Sequence, residues 1–294
     1  MKKIITIFYV LFFNLSFTQN PTKEIKSLNG IWIAEEFYNS FEQTKSAIKS
    51  KDAFDFNYPV ALRINSKEIN NGILNIGYSV LHDHLLHPEV SEYLVKNKDT
   101  IYEQGRFKIN LKTKDSIGYY KTTDIYYFNY DWISYLTWNI EDNSISLYRP
   151  RGNGHEEMFI KFKRITSEFK KDYLYPNPLY YYTRSKTISG TYTLRDNSGK
   201  VLSENFTIGE NGIVSGFKLL DDYSAYFSTD IYCGPPAIHD LVMFFDDILI
   251  EEKKVFYFLY TINENGNINF HKRLYNKEDG SDILGERIYE LVKN

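Results

Sequence analysis

The sequence predicts an all-β chain: two tandem antiparallel β-barrel-like domains, interrupted by two short helical insertions. Three observations predict it. A phrase opens each half, Leu28-Asn29-Gly30-Ile31-Trp32 returning 160 positions later (190 − 30) as Ile188-Ser189-Gly190-Thr191-Tyr192. Each half then runs through short segments in which apolar and polar residues alternate between turn residues, the period of a strand with one buried face. The composition agrees, since 26 Tyr and 21 Phe in 294 residues weight the chain toward side chains that favour strands.

Residues 1–20 read as a signal peptide. Lys2 and Lys3 form a basic start, 4–13 is nearly all apolar, and 14–20 turns small and polar. The apolar run is shorter than the roughly 20 residues a membrane helix needs, and no later run is long enough, so no transmembrane span is expected after signal removal. Cys233 is the only cysteine, which excludes an intrachain disulfide. Export without disulfides fits a bacterial periplasm, cell surface or secreted location. Net charge is −3, with Lys+Arg 35 against Asp+Glu 38. Without a basic stripe there is no footprint for nucleic acid.

The first domain is expected over 25–165. Alternation places strands near 30–37, 60–64, 72–81, 105–111, 116–120, 124–130, 134–140, 144–148 and 158–165. Two helices interrupt them. Ser40-Phe41-Glu42-Gln43 has the form of a capping box, and Pro88 opens a second helix over 88–95, proline being tolerated in a first turn. Residues 166–186 read as a linker, with Pro176, Pro178 and the run Leu179-Tyr180-Tyr181-Tyr182 packing across the junction. The second, smaller domain is expected over 187–294. Its strands lie near 190–195, 205–209, 212–220, 225–229, 241–246, 254–262, 268–274 and 288–293. Asp196-Asn197-Ser198-Gly199 and Glu210-Asn211-Gly212 are its hairpin turns, where Asn and Gly reach positive φ. The repeat continues inside the halves. Gly72-Ile73-Leu74-Asn75 matches Gly212-Ile213-Val214-Ser215, and Trp138 to Asn143 matches Tyr260-Thr261-Ile262-Asn263-Glu264-Asn265. The offsets shrink, from 140 (212 − 72) to 122 (260 − 138), so the first half carries the insertions.

An early Gly-x-Trp, a meander of antiparallel strands and a late basic residue resemble the lipocalin-like, or calycin, barrels. The resemblance implies that Trp32 packs across the barrel floor against Arg164, and Tyr192 against Lys293. An aromatic face is a good partner for a cation partly withdrawn from water. It also implies a small apolar or amphipathic ligand inside the barrel, with Trp32, Trp132, Trp138 and Arg164 as ligand-binding or floor residues. A glycan on exposed Tyr and Trp faces is the other ligand class.

The residues that could carry other chemistry are few. His82, His84 and His87 lie within six positions in Leu81-His82-Asp83-His84-Leu85-Leu86-His87. His82 and His84 would share one face of a strand, and three imidazoles with a water form a known zinc arrangement. The competing view is a polar strand end, as Leu220-Asp221-Asp222-Tyr223 is in the second half. Cys233 and His239 are six apart without a nucleophile signature. The stretch Arg149-Pro150-Arg151-Gly152-Asn153-Gly154-His155-Glu156-Glu157 reads as a solvated polar hairpin loop; the competing view puts it at a barrel mouth, in contact with a ligand. No phosphate loop, nucleophile elbow or Cys/His zinc framework is present, and no cofactor signature. The expectation is an exported, non-catalytic binding protein for a small apolar or amphipathic ligand or a glycan. The alternatives are a metal-assisted hydrolase using His82, His84 and His87, and an envelope protein-interaction module.

Overall fold

The computed structural model describes residues 25–53, 58–81, 106–114, 118–123, 125–127, 130–132, 134–150, 156–168, 178–221, 224–227, 237–245 and 255–294. In the first half the strands are β1 (Gly30–Ala34), β2 (Ala61–Asn70), β3 (Ile73–Ser79), β4 (Arg106–Asn110), β5 (Tyr120–Lys121), β6 (Ile125–Tyr127), β7 (Tyr130–Trp132), β8 (Tyr135–Asn139), β9 (Ser144–Pro150) and β10 (Glu156–Thr166). Eight of them form one sheet in the order β4-β3-β2-β1-β10-β9-β8-β5, while β6 and β7 make a separate ribbon. The sheet closes on itself. Ile109 of β4 bridges Thr122 just beyond β5, and the Thr123 amide donates to the Lys108 carbonyl at 2.8 Å. Closure leaves few open edges for another chain to pair with.

The second half repeats the order. Its strands are β11 (Gly190–Asp196), β12 (Val201–Ile208), β13 (Val214–Ser215), β14 (Ser224–Phe227), β15 (Leu241–Phe245), β16 (Val255–Ile262), β17 (Ile268–Tyr275) and β18 (Asp282–Lys293). They run β13-β12-β11-β18-β17-β16-β15-β14. The ends are drawn together where the Ala225 amide donates to the Gly212 carbonyl at 2.7 Å. The two meanders correspond residue by residue at the positions the repeat marks. Trp32 pairs with Arg164 and Tyr192 with Lys293. Gly72 and Gly212 close equivalent hairpins at φ 84° and 85°. The matched segments at 138–143 and 260–265 each run from a strand into the turn of the next hairpin. Asn71, at φ 53°, precedes Gly72 and supplies the paired positive φ of a tight hairpin turn.

Among the described residues, the helices α1 (Glu35–Thr44), α2 (Ala47–Ser50) and α3 (Pro178–Lys186) lie between the sheets. The capping box expected at Ser40 is not one. The N-cap lies six residues earlier (40 − 34), at Ala34 directly after β1, with no side-chain cap. Glu35 and Glu36 in the first turn suit the positive end of the helix dipole. A side-chain cap occurs instead on α2, where the Ser46 hydroxyl accepts from the Lys49 amide. The helix expected over 88–95 lies outside the described residues.

The stretch read as a linker includes α3, and this helix joins the halves. Its Leu179, Tyr180, Tyr182, Thr183 and Arg184 are buried. Tyr182 packs on Phe41 of α1 at 5.3 Å and on Tyr38 at 5.9 Å between ring centroids, and its hydroxyl donates to Glu42 at 3.0 Å. Lys186 adds an ion pair to Glu42 at 3.2 Å. On its other side α3 sends Arg184 into the second sheet, where Nε and Nη1 donate to the Glu210 and Ala225 carbonyls, both at 3.1 Å. The guanidinium thus fastens the helix at the place where the second meander closes.

A second tie runs the other way. The Asp240 carboxylate, just before β15, accepts from the Ile48 amide at 3.3 Å and meets Ser46 and the Ala47 amide at the start of α2, with Lys49 nearby. Burial pushes the Asp240 carboxyl up despite those hydrogen bonds. Glu42 behaves oppositely: burial raises it, but hydrogen bonds from Lys45, Lys186 and Tyr182 outweigh that and hold it below the usual range. The signs follow from linkage. Glu42 contributes stability that is present above its unfolded pKa and is lost as pH falls through its lowered folded pKa. Asp240 holds its proton to higher pH in the folded chain, so its contribution falls as pH rises from the unfolded value through the raised one. In urea titrations between pH 3 and 7, Glu42→Gln is expected to flatten the acid loss of stability and Asp240→Asn to steepen it. Identical pH profiles for both variants and the parent would contradict this junction.

Candidate functional site

The strand order of the first sheet defines two ends. The floor end holds Gly30, the β2–β3 and β8–β9 turns and the end of β10. The opposite end receives α1 and α2 from β1, the end of β3 and the end of β9. Inward-facing residues follow from the ladders: Trp32 beside Leu62 and Arg164, Ile64 beside Ile76 and then Phe107, and Leu136 beside Leu147. All of these except Arg164 are fully buried.

At the floor, Trp32 and Arg164 meet as the resemblance implied. The guanidinium carbon lies 4.5 Å from the Trp32 ring centroid. The indole Nε1 donates to the Leu28 carbonyl at 2.9 Å, and Arg164 Nη2 donates to the Ser27 carbonyl at 2.5 Å. Burial pushes the Arg164 guanidinium down from its ordinary value, yet an arginine stays charged at any physiological pH. The second half keeps half of this device. The Tyr192 hydroxyl donates to the Ile188 carbonyl at 2.8 Å, the equivalent residue four positions back, and burial pushes the Tyr192 phenol up to about 12. Lys293 is its ladder partner.

Trp138 lies at the same end of the first barrel, beside the β8–β9 turn. It stacks on Tyr120 at 4.7 Å and 6°, and Lys114 Nζ sits 4.9 Å from the Tyr120 centroid. Trp132 is on β7, in the ribbon outside the eight-stranded ring. His82, His84 and His87 lie outside the described residues, as do Cys233 and 151–155 of the polar loop. Among the described residues no three His, Cys, Asp or Glu side chains gather as a metal site, and no helix is long and apolar enough to cross a membrane.

The two barrels differ in what fills them. In the second, Phe206, Phe217, Phe244, Phe258, Phe270 and Tyr289 form a continuous chain of ring contacts between 5.4 and 6.3 Å. Phe206, Phe244 and Phe270 are fully buried there. Such edge-to-face and offset packing is how aromatic rings make a dense core. In the first barrel the described ring contacts are separate pairs among aliphatic side chains, Tyr120 on Trp138 near the floor and Tyr78 with Phe107 at 6.0 Å further from it. Sequence reasoning missed the junction groups Glu42, Arg184 and Asp240. Each works through a partner at least 26 positions away (210 − 184), and no local motif marks them. No family model matches this chain, and no curated protein is similar to it.

Proposed function

We propose that this is an exported binding protein that takes a small apolar or amphipathic molecule into its first barrel, the second barrel and α3 serving to support it. The observation that carries this is the contrast in filling: a second barrel whose rings join into one continuous cluster, and a first barrel whose buried rows mix aliphatic side chains with separate ring pairs above the Trp32–Arg164 floor. A signal-like N-terminus and the likeness to lipocalin-like barrels support the same reading. An apolar interior recognises its ligand by area removed from water, worth about 0.8 kcal/mol for each methylene. Affinity should therefore climb with chain length.

The test uses decanol and dodecanol, titrated into a variant carrying Trp132→Phe and Trp138→Phe, so that Trp32 at the floor reports alone. The expected result is a saturable emission change at one site, with dodecanol bound roughly tenfold more tightly than decanol, the effect of two methylenes. A flat Trp32 signal, or equal affinity for the two alcohols, would contradict the carrier reading.

A further inference from the structure

The outer face of the second barrel carries a cluster that its ring core does not use. Phe258 of β16 and Phe270 of β17 stack inside the barrel at 5.4 Å. Side chains alternate along a strand, so Tyr257 of β16, and Arg273 and Tyr275 of β17, point outward. The Arg273 guanidinium carbon lies 4.9 Å from the Tyr275 ring centroid and 6.0 Å from that of Tyr257, one cation shared by two phenol rings. Arg273 Nε donates to Asp282 Oδ1 at 2.7 Å, and Asp282 is the ladder partner of Tyr275. The Asp282 side chain is 4% exposed, so a buried carboxylate anchors the guanidinium. Among the described residues Asp282 is the only hydrogen-bond partner of Arg273, which leaves the N–H groups of Nη1 and Nη2 to a ligand. Tyr257 and Tyr275 are 37% and 54% exposed.

We infer that Tyr257, Arg273 and Tyr275 form a binding site for a neutral glycan on the outside of the second barrel. This goes beyond the carrier reading and does not depend on it. Asp282 already neutralises Arg273, so the site has no net charge that calls for an ionic ligand. Burial pushes the Tyr257 phenol up, against the pull of the Arg273 cation, so this hydroxyl keeps its proton and remains a donor. The site therefore offers ring faces beside N–H and O–H donors. A pyranose matches that mixture: its C–H face packs on a ring, and its hydroxyl oxygens accept from the guanidinium and the phenols. A protein partner fits less well. The two tyrosines together expose about as much surface as one whole side chain, roughly 150–250 Å². A stable protein interface takes about 800 Å² from each side. Two rings around one cation suit successive sugar units of a chain.

The experiment titrates cellohexaose, xylohexaose, mannohexaose and laminarihexaose into the whole chain by calorimetry, with hexagalacturonate as the charged control. Saturable binding of at least one neutral hexasaccharide is expected, and salt should change it little, since no ion pair forms with the ligand. Tyr275→Ala removes a half-exposed ring, so its thermal midpoint should match the parent while the sugar binds about tenfold more weakly. Arg273→Lys keeps a cation beside Asp282 but loses the planar fork of donors, and about a tenfold loss should follow, the size of one charge-assisted hydrogen bond. Neither change should alter dodecanol binding. Absence of saturable binding by all four neutral sugars overturns the inference. Tighter binding of hexagalacturonate than of every neutral sugar overturns the ligand class and makes the site one for anions. Sugar binding that is unchanged in either variant overturns the assignment to these residues. Each of these results leaves the carrier reading standing, because dodecanol reports on that separately.

Discussion

Trp32→Ala is expected to lower the stability of the folded chain by about 3–5 kcal/mol, the usual cost of deleting a buried large aromatic. The side chain is fully buried and sits between Leu62 and Arg164 in the ladder. Its removal takes away the packing, the ring 4.5 Å from the guanidinium and the donor that satisfies the Leu28 carbonyl. The three losses act at one place, because the indole holds the segment before β1 against the floor while Arg164 holds Ser27 beside it. Trp32→Phe separates them: it keeps a ring and loses the hydrogen bond, and about 1–2 kcal/mol should follow. Tyr192→Phe removes only the equivalent donor in the second half and should cost about 1 kcal/mol. Urea unfolding of the three variants checks the order. A Trp32→Ala chain as stable as Tyr192→Phe would show that the floor contact contributes little.

Gly30→Ala is expected to cost about 3 kcal/mol or more, and clearly more than Gly190→Ala. Both glycines sit at positive φ, 138° and 155°, where a side chain is strained by about 1–3 kcal/mol. Their surroundings differ. A Cβ on Gly30 would come within 1.9 Å of the Thr166 carbonyl oxygen, a backbone atom at the end of β10. Relief would require β1 to move from β10 just where Ile31 pairs with Thr166. A Cβ on Gly190 would meet the Tyr192 hydroxyl at 3.0 Å, a side chain able to shift by a few tenths of an ångström. Thermal unfolding of the two variants measures the difference, and equal losses would contradict the crowding at Gly30.

The meander was legible in the sequence because alternation, Asn-Gly turns and the doubled Gly-x-aromatic phrase are all local signals. Each is read within a few residues, and each survives in both halves: the Asn71-Gly72 and Asn211-Gly212 turns occupy equivalent hairpins. The floor pair Trp32–Arg164 was legible only through a resemblance, since 132 positions (164 − 32) separate its members and no spacing rule joins them. The helix start was misread because Ser40 and Gln43 fit a capping box, yet the burial of Phe37 and Phe41 on one helical face begins the helix earlier. The run at 179–182 signalled packing across the junction, and Tyr182 does so on Phe41 and Tyr38. The other junction groups, Glu42, Arg184 and Asp240, carry no local mark. A buried arginine bonded to two carbonyls looks in sequence like any helical arginine. Nor does alternation say in which of two apolar barrels the rings join into one continuous cluster. That depends on which rings end up adjacent across strands, such as Phe258 on Phe270 at 5.4 Å.

The claim that the first barrel holds the ligand is tested most directly by NMR. Protonated dodecanol is added to the deuterated chain with labelled Ile, Leu and Val methyl groups, and contacts between ligand protons and protein methyls are recorded. The account predicts contacts from the alkyl chain to Ile64, Ile76 and Leu147. Contacts instead to Ile208, Val214 or Ile268 of the second barrel, or only to the exposed methyls of Ile213 and Ile238, would contradict it.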